Sequence, residues 1–90
     1  MTDELLDELE LYASLMFSRQ EIASILEIPA GELIDMLGEK EGEPYRRFQR
    51  GRLRKEAEIR KSIFELAVNG SSPAQAFAVK LIENAKMNDL

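Results

Sequence analysis

The sequence predicts an all-α protein of five helices, three short ones followed by a long basic helix and a short helix antiparallel to it. Three observations predict this. β-branched residues are sparse, and no stretch alternates apolar and polar residues with period two. Apolar residues recur instead at three- and four-residue steps. Helix-starting and helix-stopping residues fall between those periodic stretches, at Ser18, Pro29, Gly38, Pro44 and Asn69-Gly70.

The first helix is expected from Asp3 to Met16. Asp3 and Glu4 suit its positive N-terminal end, and Leu5, Leu9, Tyr12 and Met16, with Leu6 and Ala13 beside them, make one apolar face. The second opens on Ser18-Arg19-Gln20-Glu21, a capping box with Phe17 and Ile22 at the staple positions. Ile22, Ala23, Ile25 and Leu26 follow as its inward face. Glu27-Ile28-Pro29 interrupts the pattern, because the residue before a proline disfavours the helical region. The third helix then runs from Ala30 to Leu37, with Leu33, Ile34 and Leu37 apolar and Gly38 placed to end it.

A polar loop, Gly38 to Glu43, leads to Pro44, which suits the first turn of a helix. That fourth helix is expected to reach Asn69-Gly70, a length of about 39 Å at 1.5 Å per residue. Gly51 is its weak point, since glycine in a helix interior costs about 1 kcal/mol relative to alanine. Whether the helix stays continuous there is left open by the sequence. Ser71-Ser72-Pro73 begins the fifth helix, whose stripe is Ala74, Phe77, Ala78, Leu81, Ile82 and Ala85. The short turn between the fourth and fifth helices predicts antiparallel packing. The expected organisation is a three-helix unit over residues 1–43 and a basic, oligomerising hairpin over 44–90.

Composition narrows the function classes. With ninety residues the core is thin, about 60% of the unfolded surface being buried at this size, so oligomerisation would help. There is no cysteine and no histidine, which excludes disulfides, thiolate metal sites and imidazole acid–base chemistry. Magnesium on carboxylates is the one metal chemistry left, but the acids are spread along helices like a solvated surface. No phosphate-binding glycine loop or nucleophile–base pair is present, so neither an enzyme nor a cofactor is expected. The apolar runs are too short to span a membrane, and the acidic start Met1-Thr2-Asp3-Glu4 is unlike a signal peptide. The expectation is a cytoplasmic protein.

The net charge of −5 hides an asymmetry. Residues 1–43 hold twelve acids against Arg19 and Lys40, whereas residues 44–90 hold ten bases against five acids. Such a division fits a basic segment meeting phosphate, and equally an acidic half pairing with the basic half of a neighbouring subunit. On a helical wheel Arg46, Arg47, Arg50, Arg54 and Lys61 fall within about 100° of arc, with Phe48, Ile59, Ile63, Leu66 and Ala67 on another side. A cationic stripe of this kind can track a phosphate backbone without reading bases. A protein partner and simple solvation are the competing readings.

The segment Phe17 to Leu37 has the constellation of a helix-turn-helix. Ala23 stands where the two helices come closest, and Leu26, Ile28 and Leu33 flank the tight turn. The second helix of such a pair enters the major groove. Here that helix offers Glu32, Asp35 and Glu39, with only Lys40 near its end and no Arg, Asn or Gln. Bidentate contacts to guanine or adenine are therefore missing from it. Glu27 also occupies the turn position where glycine is usual.

Three stretches taken together resemble the small terminase subunits of tailed bacteriophages and related phage helix-turn-helix proteins. They are Leu11-Tyr12-Ala13-Ser14-Leu15-Met16-Phe17-Ser18-Arg19-Gln20-Glu21-Ile22-Ala23, the run Arg50 to Ala67 beginning Arg50-Gly51-Arg52-Leu53-Arg54-Lys55-Glu56-Ala57, and Asn69-Gly70-Ser71-Ser72-Pro73-Ala74-Gln75-Ala76-Phe77-Ala78-Val79-Lys80-Leu81. Each is degenerate; order and spacing carry the similarity. The resemblance implies a subunit for viral genome packaging in the host cell cytoplasm. It would recognise double-stranded phage DNA, assemble as a homo-oligomer, and hand the genome to a large terminase subunit that holds the ATPase and nuclease. Residues Ser18 to Leu37 would face DNA, and the hairpin from Pro44 would join subunits. Arg46, Arg47, Arg50 and Arg54 would hold phosphates, with Arg19 and Lys40 as lesser contacts. Two other readings stand beside it: a phage or prophage transcription regulator on a palindromic site, and a protein-interaction adaptor that does not bind DNA.

Overall fold

The computed structural model describes residues 1–89, and Leu90, the end of the expected 44–90 segment, lies outside them. Among the described residues every regular element is a helix: α1 (Asp3–Ser14), α2 (Arg19–Leu26), α3 (Ala30–Leu37), α4 (Glu43–Val68) and α5 (Ser72–Asn88). The predicted all-α class holds. The chain divides into two compact units, Met1–Lys55 and Glu56–Leu90. The division falls inside α4 and not between residues 43 and 44. The cause is the first half of α4, where Phe48 and Gly51 are buried with the N-terminal helices.

Local chemistry sets the ends of the short helices. Thr2 caps α1, its hydroxyl accepting from the Leu5 amide at 3.2 Å. The helix stops two residues before Met16, which takes a left-handed conformation with φ of 65°. The expected capping box forms at α2. The Glu21 amide donates to Ser18 Oγ at 3.1 Å, and the Ser18 amide donates to Glu21 Oε1 at 2.9 Å. These bonds hold the Glu21 carboxyl below its ordinary range. Glu27 ends α2 in the left-handed region, φ 57° and ψ 41°, and the Ile28 amide returns to the Ala23 carbonyl at 2.9 Å. A residue with a Cβ costs about 1–2 kcal/mol in that conformation. The turn therefore has the backbone that glycine would supply, occupied by a glutamate.

The first unit closes around Leu6, Leu9 and Ala13 of α1, Ile22 and Ala23 of α2, Leu33 and Leu37 of α3, and Phe48 of α4. Phe48, Leu9, Ile22 and Leu33 are the largest fully buried side chains. Burying a side chain of that size stabilises by about 1.5–3 kcal/mol. Tyr12, Phe17, Leu26, Ile28 and Met36 pack at the margin of this core. The relation of α2 to α3 across the Glu27 turn is compatible with the helix-turn-helix expected for Phe17 to Leu37.

Helix α4 is continuous through Gly51, and the structure shows why a glycine stands there. A Cβ on Gly51 would lie 2.3 Å from the backbone oxygen of Glu10 and 3.2 Å from the Ala13 Cβ. Gly51 is a point of close approach between α1 and α4. The residue that weakens the helix by propensity permits its packing.

The second unit comprises the C-terminal part of α4 and α5. The Ser71 amide donates to the Leu66 carbonyl at 3.0 Å, and Gly70 takes φ of 102° between the helices. Ser71 caps α5, and Gln75 Nε2 reaches the Ala67 carbonyl at 3.1 Å. Its buried apolar residues are Ala74 and Ala78. Ile59, Phe64, Leu66, Val68, Phe77, Val79, Ile82 and Met87 are exposed. On the apolar side of α4, Ile63 and Ala67 are half-buried while Ile59 and Leu66 stay exposed. No helix among the described residues is long and apolar enough to cross a membrane.

Candidate nucleic-acid interface

The six cations singled out in the sequence fall into three environments. Arg47 and Arg50 meet α1. Arg47 Nε donates to Glu10 Oε1 at 2.8 Å, and Arg47 also pairs with Asp7. Arg50 donates to the same Glu10 oxygen at 2.8 Å. The Arg47 side chain is 16% exposed and that of Arg50 49%. Burial alone would raise the Glu10 carboxyl, but the hydrogen bonds and charges of Arg50 and Arg47 outweigh it and hold the group below its ordinary range. The Asp7 hydrogen bond, reinforced by Glu10, pushes the Arg47 guanidinium up.

The expected cationic stripe is therefore not open along its length. Its two central arginines are engaged by carboxylates and fasten α4 to α1. Arg46 turns back on the loop before α4, donating from Nη1 to the Glu41 carbonyl at 2.5 Å, and remains exposed. Lys40 and Arg54 are exposed and have no ion-pair or hydrogen-bond partner among the described residues. Lys61, on the same stripe, lies in the second unit and is also exposed.

Arg19 forms the third environment. It is the first residue of α2, and its guanidinium carbon lies 5.1 Å from the centre of the Phe48 ring. A second arginine meets that ring, and sequence reasoning missed it. Arg52 stacks with its guanidinium carbon 4.4 Å from the ring centre and donates from Nη2 to the Phe17 carbonyl at 3.2 Å. Arg52 falls outside the cationic arc of α4. The available signal was its spacing of one turn from Phe48, which places an arginine over an aromatic on the inward face.

The exposed side of α3 has the opposite charge. Glu32, Asp35, Met36, Glu39, Gly42 and Pro44 line a cavity of about 250 Å³. Among the described residues no group of three or more histidine, cysteine or acidic side chains is arranged to hold a metal ion. Comparison with protein-family models, with curated proteins and with solved structures finds no match to this chain.

Proposed function

We propose that the chain is a small terminase-like subunit that binds double-stranded DNA, assembles as a homo-oligomer in the cytoplasm of a phage-infected bacterium, and presents the genome to a large, catalytic subunit. Its mechanism is positioning, without chemistry or cofactor of its own. The observation that carries this reading is the α2–turn–α3 arrangement, with the Ile28–Ala23 bond and the left-handed Glu27 at its bend, read here as a helix-turn-helix. Phosphate contacts are assigned to Arg19, Lys40, Arg46 and Arg54, which are exposed. Arg47 and Arg50, expected as contacts, become positioning residues held by Asp7 and Glu10. The exposed apolar side chains of the second unit, Phe64, Leu66, Phe77 and Ile82 among them, support assembly.

The acidic side of α3 favours a second reading, in which the first unit docks a basic protein and DNA is not bound. Fluorescence anisotropy of a labelled duplex, titrated at rising salt, separates the two. Four phosphate contacts give a slope of log affinity against log salt of roughly −3 to −4. No retention of duplex at low salt selects the adaptor.

A further inference from the structure

The arginines of the first unit are not treated alike. Arg47 and Arg50 are given carboxylates by α1. Arg19 and Arg52 are brought to one buried ring, that of Phe48, and neither has a carboxylate in ion-pair contact among the described residues. The nearest acid on α2, Glu21, has its carboxylate committed to the Ser18 amide. The face of an aromatic ring attracts each cation, but it does not cancel the repulsion between two of them. Arg52 is also held in place, by stacking and by its bond to the Phe17 carbonyl, while its buried Nε has no hydrogen-bond partner. Two guanidiniums with no carboxylate partner thus stand by the positive end of α2, Arg19 as its first residue and Arg52 through its bond to Phe17. An anion with several acceptor oxygens satisfies such a pair; with Arg52 Nε buried, a phosphate would accept from the exposed Arg19 guanidinium and from the terminal nitrogens of Arg52.

We propose that Arg19 and Arg52, set by Phe48, form a phosphate-binding site at the start of α2 that grips one phosphate of a nucleic-acid backbone. The site deepens the DNA reading above and rests on it for the identity of the phosphate. Phe48 orients the pair, Arg52 is the fixed member, and exposed Arg19 closes on the ligand from α2.

The test is NMR of the arginine side-chain N–H signals in the full chain. Inorganic phosphate and a short duplex are titrated separately, with chloride at matched ionic strength as reference. Phosphate is expected to move the Arg52 and Arg19 signals where chloride does not. Arg19→Gln is expected to weaken duplex binding about tenfold at low salt and to reduce the salt slope by about one. Arg52→Lys is expected to keep the charge and lose the planar stack on Phe48 and the bond to the Phe17 carbonyl that hold the group in place, weakening phosphate binding. Lys86→Gln, the same charge change in the second unit, is expected to leave affinity within twofold. Unmoved arginine signals with either ligand overturn the site. So does duplex binding that is unchanged in Arg19→Gln, a result that leaves the DNA reading intact. A phosphate response in a chain that does not retain duplex keeps the site and removes the DNA reading.

Discussion

Replacing Gly51 by alanine sets two effects of opposite sign against each other. Helix propensity favours alanine by about 1 kcal/mol. The new methyl would lie 2.3 Å from the Glu10 carbonyl oxygen, a backbone atom that cannot swing aside. Carbon–oxygen contacts of this type settle near 3.3–3.6 Å, so α1 and α4 must separate by roughly 1 Å. Overpacking of a close-fitted interface costs about 1–3 kcal/mol, occasionally more, and the separation also disturbs the Glu10 clamp on Arg47 and Arg50. Because the obstacle is a backbone oxygen, the cost falls at the upper end of that range, and the net expectation for Gly51→Ala is a loss of about 2 kcal/mol. At about 4–8 °C per kcal/mol for a chain of this size, Tm falls by roughly 10 °C. Urea denaturation followed by far-UV circular dichroism reads this as a lower midpoint at unchanged slope. Gly31→Ala is the control: a Cβ there meets nothing within 4 Å, and a gain of about 0.5 kcal/mol is expected. A Gly51→Ala chain as stable as the parent refutes the close-approach argument.

Three further outcomes follow from the same geometry. Glu27→Gly removes the left-handed penalty of an exposed residue and should raise stability by about 1 kcal/mol, read as a higher urea midpoint. The Glu10 carboxyl is lowered in the folded chain from an ordinary 4.5. The unfolded chain therefore binds more protons in that window, and stability is full above about pH 4.5 and lost as pH falls through the folded value. Glu10→Gln should flatten that acid limb in melts taken across pH 2–6, and an unchanged limb would show that the clamp is not coupled to folding. Phe77→Glu, at a side chain of a residue 58% exposed, should lower the native mass measured by light scattering while leaving the helical dichroism intact.

Most of the fold was legible because its signals are local. Ser18 and Glu21 sit three residues apart and cap α2 directly; Pro29 and Gly38 bracket α3 at its observed limits. The end of α1 was read two residues too long, since Met16 gives no side-chain sign of a left-handed turn. The role of Gly51 was hidden because it depends on Glu10 and Ala13, remote in sequence. The candidate site was legible only as charge. A wheel of α4 places its arginines on one arc, but it does not show that Asp7 and Glu10 arrive from α1 to take two of them. Nor does it show Arg19 of α2 joining Arg52 over Phe48. Those are tertiary meetings, and helical spacing within one element does not contain them.

The most direct test is the native mass of the intact chain in solution, taken by analytical ultracentrifugation at low salt with and without duplex DNA. A DNA-handling assembly predicts a multiple of the 10.2 kDa chain in the free state and co-sedimentation with the duplex. A species of 10.2 kDa, unchanged by added DNA, contradicts it.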